Sequence, residues 1–136
     1  PLPAAPGARV TSVEIPYSIA AALPSLAVLD ITNEVAHAVD ESGYGSGIAY
    51  VSSGADSLVR VNEREGGFFC DLEALLLRLV PEETDGRERM LAMLLGPRTE
   101  QIPFVEGRLC LGRWQRIMLF SFDESCRSEW TVTLLG

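Results

Sequence analysis

An α+β fold, with a largely antiparallel sheet flanked by two or three helices, is what this sequence predicts. Short β-rich runs precede and separate two stretches of helical periodicity, and beyond residue 101 every apolar run reads as strand. Only a few residues separate those last strands, too few for the crossover that parallel neighbours need, so hairpins join them. At 136 residues the chain suits one domain spanning 1–136, and its 47% hydrophobic content can build a core without disulfides or a structural metal.

Taken in order, residues 1–8 are a loose, Pro-rich arm without the charged and apolar regions of a signal peptide. Residues 10–15 alternate weakly and read as a first strand, closed by Pro16. Residues 26–31 are a second strand. Thr32 then offers an N-cap for a short helix over 33–41, with Val35, Ala36 and Val39 on one face and Gly43 placed to end it in the left-handed conformation. Residues 47–53 and 57–61 are strands. Gly66-Gly67 breaks the chain before the strongest helix, 68–79, where Phe68, Leu72, Leu75, Leu76 and Leu79 share a face and Pro81 follows the end. A polar loop over 82–86 leads to a short helix, 87–95, stopped by Gly96-Pro97. The remaining strands are 102–105, 109–111, 114–122 and 130–135, with turns at Glu106-Gly107 and at 123–126. The run 114–122 has apolar residues at both alternation parities (Trp114, Ile117, Leu119, Phe120, Phe122), which suits a strand covered on both faces by its own helices or by a neighbouring subunit.

Charge and residue types exclude much chemistry. The net charge of −8 disfavours nucleic acid as a partner. All 11 basic residues are Arg, so there is no lysine for a Schiff base, a pyridoxal-phosphate anchor or a P-loop. The single His37 excludes a two-histidine metal motif. Cys70, Cys110 and Cys126 are widely spaced and odd in number, which suits a reducing cytoplasm. No apolar run approaches the ~18 residues of a membrane helix, so no membrane partner is expected.

His37, among Asn33, Glu34, Asp40 and Glu41, reads as solvent-facing. Asn62 can bond loop backbone and Glu63 can face water, or the pair can border a pocket. Asp71 complements a helix N-terminus. Glu63, Glu65 and Asp71 are the only candidate carboxylate set, and nothing in their spacing brings them together. Gly43-x-Gly45-x-Gly47 precedes a strand and is a turn, not a dinucleotide fingerprint. Trp114-Gln115 reads as core packing plus an amide that pairs with backbone. Arg108, Arg113 and Arg116 make a local basic cluster, suited to salt bridges at a subunit contact or to an anion site.

Three blocks carry a resemblance. Leu58-Val-Arg-Val-Asn-Glu63 precedes an Asp71-Leu72 helix that ends in Val80-Pro81; Met93-Leu-Leu-Gly96 precedes Ile102-Pro103 and Gly107-Arg-Leu-Cys-Leu-Gly112; Trp114-Gln115 runs into a strand, a turn with Asp123 and Arg127, and a last strand ending at Gly136. Over roughly residues 10–136 the chain resembles the YjbQ-like family, the so-called secondary thiamine-phosphate synthase enzymes. That resemblance implies a homotrimer and, from the family's name, a weak thiamine-phosphate-synthase-like activity. It also implies histidines that hold a divalent metal. Counted back from Asn62-Glu63, one of those positions is Gly54; another, before the Leu-Leu-Gly helix end, is Arg89; the segment 82–88 that would hold a third is shortened. No metal and no cofactor is therefore expected, the balance leans away from an enzyme, and the sequence names no catalytic residue. Residues Asn62, Glu63, Asp71, Arg89, Trp114 and Gln115 remain as candidates for holding a small anionic ligand or a partner. Arg89 is either a bidentate anion-holding residue in the lost metal's place or a surface residue paired with Glu82 or Asp85.

Overall fold

The structure, a computed structural model, describes residues 26–54, 57–96, 98–122 and 129–136. The expected arm, the strand at 10–15 and the turn at 123–126 lie outside these residues. Elements follow in the order β1 (Ala27–Asp30), α1 (Thr32–Ser42), β2 (Gly47–Ser53), β3 (Ser57–Glu63), α2 (Gly66–Leu79), α3 (Arg87–Leu95), β4 (Thr99–Val105), β5 (Arg108–Leu109), β6 (Gln115–Ser121) and β7 (Trp130–Leu135). They make an α+β fold with two sheets, ordered β1-β6-β3 and β5-β4-β2-β7, and every pairing in them is antiparallel.

Alternation along the strands builds two cores. Leu29, Val59, Ile117 and Leu119 point from the three-stranded sheet toward Ala49, Val51, Phe104, Trp130 and Val132 of the four-stranded one, and Val35 and Val39 of α1 close that layer. The opposite parity, Val28, Leu58, Met118 and Phe120, meets Phe69 and Leu76 of α2 and Leu91 and Ala92 of α3. Strand β6 is thus apolar at both parities because the second sheet covers one face and the chain's own helices cover the other. Close approach fixes Gly47 in β2, where a Cβ would stand 1.9 Å from the Leu135 carbonyl oxygen.

Several local expectations are corrected. Thr32 does not cap α1; Ile31 holds the cap position, while the Thr32 hydroxyl donates to Asp30 Oδ1 (2.7 Å) and accepts from the Ile117 N–H (2.8 Å). A long-range partner has captured the side chain that the local motif needed. Ala38, not Ala36, joins Val35 and Val39 in the core. Gly43 does end α1 with φ of 72°. Gly66 and Gly67 do not break the chain but begin α2, capped by Glu65, whose carboxylate accepts from the Gly67 (2.8 Å) and Phe68 (3.0 Å) N–H groups. The face of α2 that packs inward is Phe69, Glu73 and Leu76, rotated by one residue from the expected stripe.

Two arginines tie the helices down. Arg87, only 4% exposed, opens α3 and donates from Nε to the Val80 carbonyl oxygen at the end of α2 (2.7 Å), while its Nη2 is buried without a partner. Arg60 of β3 donates to the carbonyl oxygens of Leu95 and Gly96 (3.0 Å to the latter), placing a cation at the C-terminal end of α3.

Candidate functional site

The helix-covered face of the three-stranded sheet turns polar at one end. Asp30 stands opposite Met118, and Asn62 opposite Arg116, so Asp30, Arg116 and Asn62 continue the side of the sheet that carries Val28, Met118 and Leu58. Asp30, its side chain 8% exposed, organises this end. Its Oδ2 accepts from Arg116 Nε (2.7 Å) and Arg64 Nη1 (3.0 Å), and its Oδ1 accepts from the Thr32 backbone N–H (3.0 Å) and hydroxyl. Burial alone would raise this carboxyl, but the bonds from Arg116 and Thr32 and the Arg116 charge outweigh it and hold the group below the ordinary carboxylate value.

Around that anchor lies an open polar cleft of about 550 Å³, walled by Glu63, Arg64, Glu65, Arg113, Trp114 and Arg116. The turn from Gly112 to Gln115 shapes one wall. Gln115 Oε1 accepts from the Gly112 N–H (2.6 Å), and the Gln115 N–H returns to the Gly112 carbonyl oxygen (3.1 Å). This is the backbone-pairing amide read from sequence. Trp114, expected in the core, is 64% exposed, because it belongs to this turn and not to the pleat of β6. The buried tryptophan is Trp130. The Arg113 guanidinium lies 4.9 Å from the centre of the Trp114 ring.

A second, apolar cleft of about 220 Å³ opens between α2 and the sheet, where Phe68, Leu72 and Leu76 face Leu58, Phe120 and Leu95, with Arg60 and Asn62 at its polar edge. The six candidates read from sequence are therefore dispersed. Glu63 and Trp114 wall the polar cleft, and Asn62 borders the apolar one while accepting the Glu63 N–H (2.8 Å) on its own Oδ1. Gln115 holds the turn. Asp71 and Arg89 are exposed on α2 and α3 and line neither cleft, and Arg89 pairs with neither Glu82 nor Asp85. Of the basic cluster, Arg113 and Arg116 reach the polar cleft and Arg108 does not. His37 is exposed and lies 3.2 Å from Glu41. Sequence reading missed Asp30 and Arg64, and named Glu65 only in a carboxylate set with Glu63 and Asp71, of which Asp71 does not line this cleft. Asp30 had one signal, its parity with Val28 in a short strand.

The family model described as "UPF0047 protein YjbQ-like" matches residues 21–136. The chain belongs to the YjbQ-like family. A UPF0047 protein of Archaeoglobus fulgidus is 32% identical over 105 residues, 71% of this chain and 81% of that one. Another, of Methanothermobacter thermautotrophicus, is 29% identical over 119 residues, 80% and 82% of the two chains. A crystal structure from Clostridium acetobutylicum superposes with a TM-score of 0.76 at 27% identity, covering 95% of this chain and 98% of that one. A YbjQ-like protein of unknown function from Sulfolobus solfataricus shares the fold with a TM-score of 0.75 at 24% identity, covering 95% of each.

Within the YjbQ-like fold, Gly54 directly follows β2 and Arg89 is on α3, the two positions at which the resemblance implies histidine. Among the described residues no three His, Cys, Asp or Glu side chains gather as metal donors. A zinc-type ion does not fit this donor set. No helix among the described residues is long and apolar enough to cross a membrane.

Proposed function

We propose that this YjbQ-like chain is a binding protein that holds a small phosphate- or carboxylate-bearing anion in its polar cleft, without metal-dependent chemistry. The observation that carries the reading is Asp30, which pins two guanidiniums beside a third, Arg113, stacked on an exposed tryptophan. Pinned guanidiniums lose little side-chain freedom on meeting an oxyanion and can grip it through two N–H groups. None of them can activate water or take a proton near neutral pH. The lone histidine is paired with Glu41 on α1 and lines neither cleft, which supports binding over catalysis.

Affinity should be modest. Arg64 and Arg116 share the Asp30 charge, and Glu63 and Glu65 line the same cleft, so little net positive charge is left for a ligand. Calorimetry with inorganic pyrophosphate should give a dissociation constant near ~1 mM, weakened about fivefold or more by Arg113→Ala and unchanged by Arg89→Ala. Absence of heat for wild type at ~10 mM ligand, or equal loss in both variants, would remove the cleft as the site.

A further inference from the structure

The polar cleft is not uniformly positive. Three guanidiniums, Arg64, Arg113 and Arg116, stand against three carboxylates, Glu63 and Glu65 on the wall and Asp30 bonded to two of the arginines, so the fixed charges cancel. Most of these groups already have partners. Asp30 accepts on both oxygens, from Arg64, Arg116 and Thr32. Glu65 accepts the Gly67 and Phe68 N–H groups, one on each oxygen, as the cap of α2. Two groups are left over. Among the described residues the Glu63 carboxylate has no hydrogen bond or ion pair, and the Arg113 guanidinium has only the Trp114 ring.

Unlike charges in one cleft attract, yet no ion pair joins these two. The backbone accounts for their separation. Glu63 ends β3 directly opposite Gln115. Gln115 closes the turn that carries Arg113: its Oε1 accepts the Gly112 N–H (2.6 Å), and its own N–H donates to the Gly112 carbonyl oxygen (3.1 Å). Within that turn Arg113 lies over the indole of Trp114, 4.9 Å from the ring centre, and not on Glu63. Stacking uses the face of a guanidinium and leaves its N–H edge for an oxyanion. Glu63, exposed at the end of its strand, can accept from an ammonium group that reaches it. Trp114, the one large apolar side chain on this wall, suits the carbon chain of a small ligand.

We propose that the anion held in this cleft also carries a protonated amine, with its phosphate, phosphonate or carboxylate on Arg113 and Arg116 and its ammonium on Glu63. This ligand class rests on the anion-binding reading of the same cleft and adds a second charge to it. An anion without an amine brings its negative charge toward Glu63 and is repelled there. A dipolar ligand turns that repulsion into an attraction and matches a cleft whose own charges cancel. The chemistry that fits is a short carbon chain with an oxyanion at one end and a primary ammonium at the other.

Calorimetry on the full chain with two phosphonates of the same size tests the second charge. Aminoethylphosphonate and propylphosphonate differ only in an ammonium where the other has a methyl group. Wild type should bind the amine about fivefold more tightly, the upper end of what an exposed ion pair contributes. Glu63→Gln should remove that preference and leave propylphosphonate bound at least as well as by wild type. Arg113→Ala should weaken both ligands alike, because it removes the grip on the oxyanion. Glu63 is exposed at a strand end, so the melting temperature of Glu63→Gln should match wild type. Equal binding of the two phosphonates by wild type, or a preference that survives Glu63→Gln, overturns the amine and leaves the anion site in place. Binding of pyrophosphate with no binding of either phosphonate has the same meaning. If pyrophosphate gives no heat either, the anion site itself is wrong and the amine falls with it.

Discussion

Between the two sheets, Leu29, Val59, Ile117 and Leu119 meet Val51, Phe104, Trp130 and Val132 with almost no surface left to water. On the other face of the same three strands, Val28, Leu58 and Met118 give way within two residues to Asp30, Arg60 and Arg116. The two buried charged residues among those described, Glu73 and Arg87, both lie in the helices on that second side. Both clefts open there too. One face of the sheet is spent on cohesion. The other is only partly covered, and its uncovered parts carry the charge, the exposed tryptophan and the open helix stripe. The cohesive layer and the proposed binding surface are thus separated by a single layer of backbone.

That contrast can be broken most sharply in the inner layer. Trp130→Ala removes the largest fully buried side chain and should cost about 3–5 kcal/mol, lowering the melting temperature by roughly 10 °C. A loss below about 1 kcal/mol would mean that the inner layer is not the main source of cohesion. On the helix side, Arg87→Ala strips the Val80 carbonyl of its buried donor and should cost about 1–3 kcal/mol in urea unfolding. Arg87→Met keeps most of the packing and also removes the unpartnered Nη2, so it should cost less than Arg87→Ala. Equal losses would show that the hydrogen bond alone matters.

Asp30 sharpens the comparison through pH. Its carboxyl is held below the ordinary value in the folded chain, so the unfolded chain takes up its proton first on acidification. The Asp30 contribution is complete above the unfolded carboxylate pKa of about 3.9 and disappears as pH falls through the lower folded value. The stability gap between wild type and Asp30→Asn should therefore be flat near neutrality and narrow only below about pH 4. A gap that already closes by about pH 6 would point to a different titrating group. The smallest effect belongs to Trp114→Ala. With most of the ring in water, chemical denaturation should move by no more than about 0.5 kcal/mol, against the several expected for the other tryptophan.

Most of the elements were legible because the alternation that defines them is local. Strand β2, helix α3 and strand β7 fall on the expected residues, and Glu106-Gly107 makes the expected turn with φ of 52° and 73°. Helix α2 was legible as a helix but not in its orientation. Both of its stripes are rich in Phe and Leu, and periodicity favours the one without Glu73, which the fold leaves outside. The polar cleft was less legible still. Asp30 and Arg116 are 86 residues apart, and only the β1–β6 register shows that they share a face. Trp114 misled for the opposite reason. Its size argues for burial, while its place in a four-residue turn decides against it.

Arg60 has a consequence for how this molecule opens. Its backbone is locked in the middle of β3, paired across to Met118, while its guanidinium holds the last carbonyls of α3. Helix α3 has only nine residues, too short to persist alone in water. Its final turn is thus fastened to the sheet by a side chain rather than by its own length. In amide hydrogen exchange the Gly96 N–H, bonded to the Ala92 carbonyl (2.8 Å), should exchange far more slowly than a fraying helix end would. Its protection should follow that of the central β3 amides, so that strand and helix open as one cooperative unit.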